Sequence, residues 1–199
     1  MKTTAWSKIV VFPVCLIPVA RLGWAAYHGD LGANPLELIT HTTGDWTLRF
    51  LLITLCITPL RQVTKQYSMI QYRRMFGLFA FFYGTLHLTT YLWFDKFFVW
   101  HLIWEDVAKR KFITVGFLAF VLTIPLAVTS TKGMIRRLGK SWTTLHRLIY
   151  ISAAAGVFHY LWLVKADHRL PLTYGAILAV LLGYRAVFWA RRKALAERT

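Results

Sequence analysis

The stretch TSTKGMIRRLGKSWTTLHRLIYISAAAGVFHYLWLV, residues 129 to 164, joins a basic loop to an apolar helix that carries His146 and His159. Imidazoles are costly in hydrocarbon, so each is expected to face the interior of a helix bundle and to have a partner there. His87 is the best candidate partner, because it is the only other histidine with membrane-length apolar sequence on both sides. Three intramembrane histidines on two helices favour axial ligation of a metal macrocycle, although each histidine could simply hydrogen-bond a neighbouring helix.

The composition indicates an integral membrane protein. Hydrophobic residues make up 57% of the chain, the mean hydropathy is +0.48, and the apolar residues come in blocks rather than at amphipathic spacing. A chain of 199 residues supplies one bundle of short-looped helices. Cys15 and Cys56 lie in apolar segments and form no CxxC or CxxCH motif, so both are expected to be core thiols.

The apolar blocks predict an all-α fold, a bundle of six transmembrane helices in a single domain of residues 1–199. The predicted helices span about 9–27, 47–60, 75–94, 112–129, 146–164 and 171–189. The first block lacks a small-residue cleavage site, so it is kept as a helix rather than a signal peptide. Residues 28–46 are expected to form an external loop with a short surface helix after Asn34, and residues 95–111 an interfacial helix.

The charges assign the two sides of the membrane. Basic residues fill the loops 61–74 and 130–143 and the C-terminal tail, and the opposite loops hold seven of the eight acids: Asp30, Glu37, Asp45, Asp95, Glu105, Asp106 and Asp167. By the positive-inside rule both termini are cytoplasmic. Topology and anionic membrane lipid therefore account for the net charge of +16, and no motif supports nucleic-acid binding.

The depths of the histidines predict how they pair. His87 lies 13 residues beyond Arg74, and His159 lies 12 residues beyond Arg147. At ~1.5 Å per residue both rings would sit roughly 18 to 20 Å above the inner interface, so they can hold opposite faces of one b-type heme. His146 would lie about 20 Å lower. At that depth it could ligate a second heme, for which no second ligand is obvious. Alternatively, it could replace His159 as the partner of His87.

A cation is also expected beside the heme. Arg147 or Arg21 is the candidate to pair with a heme propionate, although an arginine near a helix end more often reaches only to the interface.

Several motifs together resemble the MsrQ (YedZ) family. They are TSTKGMIRRLGKSWTTLHRLIY followed by HYLW, the TLHLTTYLWF of the third predicted helix, the HGDLGANPLELITHTTGDW loop and the ITPLR after it. The family is the heme-binding inner-membrane subunit of a bacterial system that repairs methionine sulfoxide in periplasmic proteins, and it belongs to the ferric reductase-like transmembrane group. The resemblance covers essentially the whole chain and puts the family's heme histidines on His87, His146 and His159.

The resemblance also implies an electron path. Electrons would pass from the quinone pool, or from a cytoplasmic flavin reductase, through one or two b hemes to a periplasmic molybdopterin subunit. Flavin mononucleotide (FMN) is attributed to the family as well, but no phosphate-cradling glycine loop is found, so no residues are assigned to it. The absence of a GxGxxG motif argues against a self-sufficient NAD(P)H oxidase.

Two other functions compete with this interpretation. A heme-free permease or proton channel would use the histidines along a polar path, but neither internal repeats nor paired Gly/Pro interruptions are found. A direct ferric or cupric reductase would need an external metal site. The outer loops offer His101, Asp106 and His168 without a dense carboxylate or cysteine cluster, so this function ranks behind a protein electron acceptor.

Overall fold

The computed structural model describes residues 2–196, with side chains from Ser7 onward. In this part of the chain the structure is helical and contains no strand. The helices are α1 (Lys2–His28), α2 (Pro35–Thr64), α3 (Ile70–Thr90), α4 (Trp100–Lys109), α5 (Lys111–Val128), α6 (Lys132–Leu138), α7 (Lys140–Leu145), α8 (Leu148–Leu163) and α9 (Arg169–Ala196). The prediction of an all-α fold is confirmed for these residues.

Within residues 2–196, three helical segments are long and apolar enough to cross a bilayer. They are Ser7–His28, Lys111–Val128 and Arg169–Ala196. Helices α2, α3 and α8 pack between them, and their apolar side chains supply most of the buried core. Helix α2 is long enough to cross a bilayer but carries several charged residues. Helix α8, with 16 residues, is slightly shorter than a typical membrane span.

Helix α2 is longer than expected at both ends. It begins at Pro35 rather than at residue 47, because Asn34 caps it by accepting a hydrogen bond from the Glu37 amide at 3.2 Å. It also continues through Pro59, where it was expected to stop. Pro59 cannot donate to the Leu55 carbonyl, and the Arg185 guanidinium of α9 donates to that carbonyl instead, at 2.6 Å. The long-range bond therefore compensates for the missing helical one.

The helix expected over residues 146–164 is interrupted at its N-terminal end. His146 and Arg147 form a turn between α7 and α8, where the Arg147 amide donates to the Thr144 carbonyl at 3.1 Å and the Tyr150 amide donates to the Arg147 carbonyl at 3.0 Å. Both are i→i−3 bonds. Farther back, Gly139 has a φ of 51°, which reorients the chain between α6 and α7. His146 consequently does not lie on the helix that carries His159.

The core holds the two histidine-bearing helices in place. In α3, the fully buried Tyr83 hydroxyl donates to the Cys15 carbonyl of α1 at 2.8 Å and accepts from the Val19 amide of the same helix at 3.3 Å. In α8, the Ser152 hydroxyl donates to the Ala119 carbonyl of α5 at 2.8 Å. These bonds fix α3 against α1 and α8 against α5, on opposite sides of a central cavity.

Candidate functional site

The structure brings His87 and His159 together. The centroids of their imidazole rings are 6.2 Å apart, and the ring planes are inclined by 78°. His87 comes from α3 and His159 from α8, so the pairing is made by two helices far apart in sequence. The alternative pairing of His87 with His146 is not the one observed.

Each of these two rings is held by a backbone carbonyl. Nδ1 of His87 lies 3.0 Å from the Thr40 oxygen, and Nδ1 of His159 lies 2.7 Å from the Phe112 oxygen. A carbonyl can only accept, so both Nδ1 atoms donate and both neutral rings keep a lone pair on Nε2. This is the tautomer that a histidine needs to ligate a metal through Nε2.

The two rings line a cavity of about 330 Å³ with mainly apolar walls, which we call the outer cavity. Two glycines let the neighbouring helices pack directly against the rings. A Cβ at Gly116 would come within 2.6 Å of Nδ1 of His159, and one at Gly44 within 3.1 Å of His87. Contacts under 3.0 Å do not occur for real Cβ atoms, so Gly116 is required for the observed position of His159.

Ionisable side chains other than His87 and His159 also line the outer cavity: His41, Asp45, Asp95, Arg110, Tyr91 and Tyr160. The sequence placed His41 and Asp45 in an external loop, and no motif marked Asp95 or Arg110 as site residues. The helix-capping signal at Asn34 and Pro35 could have predicted that His41 and Asp45 belong to α2.

A second cavity of about 330 Å³ surrounds His146, and we call it the inner cavity. The His146 ring donates from Nδ1 to the Trp142 carbonyl at 3.0 Å, and its buried Nε2 has no hydrogen-bond partner within residues 7–196. Basic and amide side chains line the same cavity: Lys8, Gln71, Arg73 and Arg74. No second histidine lines it in the described part of the chain. Leu51 and Thr123 line both cavities and so form the partition between them.

The two arginines expected near a cofactor lie elsewhere. Arg147 and Arg21 are exposed, and neither lines one of the two cavities. Their pairing with a propionate stays a prediction that these positions do not support.

Asp106, between α3 and α5, is engaged with two nearby cations. Asp106 lies 2.5 Å from Lys96 and 3.4 Å from Arg110, and it also accepts from Tyr91 at 3.3 Å. Burial raises the pKa of Asp106, but the hydrogen bond from Lys96 and the charges of Arg110 and Lys96 lower it overall. The segment of residues 95–110 is therefore rich in paired charges and in exposed aromatic rings such as Trp100 and Trp104.

Comparison with known proteins defines the class. The sequence model of a family described as "Ferric reductase like transmembrane component" matches residues 43–157, which include His87 and His146. The chain therefore belongs to the ferric reductase-like transmembrane class.

Individual relatives define the family more narrowly. A "Protein-methionine-sulfoxide reductase heme-binding subunit MsrQ" of Herminiimonas arsenicoxydans is 55% identical over 189 residues, which are 94% of this chain and 86% of the relative. Proteins of the same name from Xanthomonas campestris pv. campestris (strain 8004) and Caulobacter vibrioides are 50% and 48% identical, over 94% and 92% of this chain and 88% and 87% of their own lengths. The chain is a member of the MsrQ family.

Proposed function

We propose that this chain is the heme-binding membrane subunit of a protein-methionine-sulfoxide reductase system and that it carries electrons across the bacterial inner membrane. The observation that carries the proposal is the pair of carbonyl-anchored imidazoles, His87 and His159, in one apolar cavity. The names of the relatives, which say heme-binding subunit, point to the same group.

The residues of the outer cavity fit a heme. Imidazole nitrogens bind a metal at about 2 Å and lie about 1 Å from the ring centroid, so two axial imidazoles have centroids about 6 Å apart. The observed separation is 6.2 Å. The free lone pairs on Nε2 supply the ligand atoms, and the apolar cavity lined by both rings supplies room for the cofactor.

A bound heme would supply an iron centre that gains and loses one electron. His87 and His159 would both ligate it through Nε2, and two imidazole ligands suit electron transfer better than oxygen binding. The Thr40 and Phe112 carbonyls keep both rings in the ligating tautomer, and the apolar walls exclude water. These features favour electron transfer over oxygen chemistry.

His146 is our proposed ligand for a second heme in the inner cavity. Its unpartnered, buried Nε2 and the similar volume of the inner cavity support this assignment. The arginines Arg73 and Arg74 are available there for anionic groups. FMN remains an expectation from the resemblance, without assigned residues.

The proposed topology follows from the charges. All six long helices, α1, α2, α3, α5, α8 and α9, would cross the inner membrane with both termini in the cytoplasm. The inner cavity would then face the electron donor, either quinol or a cytoplasmic flavin reductase. The outer cavity would face the acceptor, a periplasmic molybdopterin-containing methionine sulfoxide reductase subunit.

Reconstitution tests the electron path. The chain is purified in nanodiscs under anaerobic conditions and mixed with quinol, or with flavin reductase and NADH, while the heme absorbance is followed. We expect reduction by one donor and reoxidation when the acceptor subunit and methionine sulfoxide are added. A heme that is reduced but is not reoxidised by the acceptor would contradict the proposed role.

A further inference from the structure

We infer that Arg110 binds a propionate carboxylate of the heme in the outer cavity. The inference rests on the proposed function, because it requires a heme between His87 and His159. It assigns the cation that the sequence pattern had sought at Arg147 or Arg21.

Arg110 is the only arginine or lysine lining the outer cavity within the described residues. A heme carries two carboxylates, and a carboxylate beside apolar walls needs a cation or donor groups. The two aspartates that line the same cavity have cations of their own, since Asp45 lies 3.4 Å from Arg49 and Asp95 lies 3.6 Å from Lys96. Arg110 is therefore the cation that an added anion would meet at the cavity wall, because its own partner Asp106, 3.4 Å away, does not line the cavity.

The backbone position of Arg110 is tied to the His159 ring. Arg110 lies two residues before Phe112, whose carbonyl accepts the hydrogen bond from Nδ1 of His159. Two residues span at most about 7 Å, so Arg110 cannot move far from that ring. Its amide also donates to the Asp106 carbonyl at 2.8 Å, which fixes the junction between α4 and α5.

The guanidinium retains free donors. Its Nε lies 3.4 Å from Asp106, a long contact to a carboxylate that Lys96 already approaches at 2.5 Å. The guanidinium makes no side-chain hydrogen bond among residues 7–196, and the side chain is 53% exposed. Two parallel N–H groups are what a carboxylate binds in a bidentate pair.

The test compares Arg110→Gln and Arg110→Lys with Lys111→Gln, a neighbouring cation that does not line the outer cavity. Heme loss to apomyoglobin and the midpoint potential are measured on each purified protein. Removal of a cation beside the heme disfavours the reduced, more negative state. For Arg110→Gln we expect a lower potential and about tenfold faster heme loss. Arg110→Lys should keep most of the potential, and Lys111→Gln should match the wild type.

A further variant separates anion binding from the helix junction. If Arg110 acted only by holding Asp106, then Asp106→Asn would speed heme loss as much as Arg110→Gln does, and the inference would be overturned. Arg110→Gln with wild-type potential and heme retention would overturn it as well. A wild-type protein without heme would instead refute the proposed function itself.

Discussion

The carbonyl bonds at Nδ1 of His87 and His159 decide what these side chains can do. Each bond selects the tautomer with a lone pair on Nε2 and also fixes the ring orientation. The carbonyls come from α2 and α5, and the rings come from α3 and α8. Four helices thus determine the geometry of one pair of ligands.

A methyl group at Gly116 should disturb this pair. The Cβ of Gly116→Ala would lie 2.6 Å from Nδ1 of His159, so the ring must move, and overpacking of this kind costs ~1–3 kcal/mol. We expect several-fold lower heme content, measured as heme per purified chain. Gly183→Ala in α9 is the matched control, because nothing lies within 4 Å of its Cβ, and it should retain normal heme. Normal heme in Gly116→Ala would show that His159 does not need its observed position.

Depth counting along the sequence anticipated which histidines could meet, because rise per residue is fixed in a helix. It could not anticipate Arg110 or Gly116. The role of Gly116 depends on how α5 packs against α8, and the role of Arg110 depends on the turn before α5. The local pattern of apolar residues predicts neither of these tertiary features. His146 shows the same limit, since its distance from His159 was counted along one helix that in fact breaks at Arg147.

Helix α9 is joined to α2 by two polar contacts. Arg49 donates to the Tyr174 hydroxyl at 2.8 Å, and Arg185 donates to the carbonyl freed by Pro59. The sequence predicted a helix end at Pro59 because the compensating donor lies 130 residues away. The start of α2, in contrast, carries a local signal in its cap at Asn34 and Pro35.

Loss of the Tyr174 hydroxyl should weaken this contact. Tyr174→Phe removes the acceptor for Arg49 and should lower the free energy of unfolding by about 1 kcal/mol, measured by thermal denaturation in detergent. The control is Tyr184→Phe on the same helix, whose ring stacks on Phe188 and whose hydroxyl makes no hydrogen bond within the described chain. Equal stability of the two variants would mean that the bond to Arg49 contributes nothing.

Helix α4 should depend on pH through Asp106. Its pKa is lowered in the folded protein, so its ionised form stabilises α4 above the unfolded value of about 3.9, and this stabilisation is lost as the pH falls through the folded value. Asp106→Asn should therefore speed amide exchange in α4 about tenfold at neutral pH, and the difference from wild type should vanish in strong acid.

Glu105→Gln is the control for that experiment. Glu105 lies on the same helix and pairs with Lys109, but both groups are fully exposed. An exposed pair contributes little, so exchange should stay near the wild-type rate at both pH values. An effect as large as that of Asp106→Asn would show that net charge, rather than the buried contacts of Asp106, controls α4.

The whole chain is expected to place its basic side inward. Reporter fusions after Gly139 and at the C-terminus should be active as cytoplasmic reporters, and fusions after Arg110 or Asp167 as periplasmic ones. The physical reason is that Lys and Arg in short loops resist translocation. A periplasmic C-terminus would contradict the six-span topology and would reverse the assignment of the inner and outer cavities.

The most direct test of heme ligation by His87 and His159 is the visible spectrum of the detergent-purified protein, oxidised and dithionite-reduced, with heme counted per chain. Wild type is compared with His87→Ala, His159→Ala and His146→Ala. We predict a reduced low-spin b-type spectrum whose outer-cavity component disappears in the first two variants but persists in His146→Ala, which should lose only a second heme. A colourless protein from heme-replete cells, or an unchanged spectrum in His87→Ala and His159→Ala, would contradict the account.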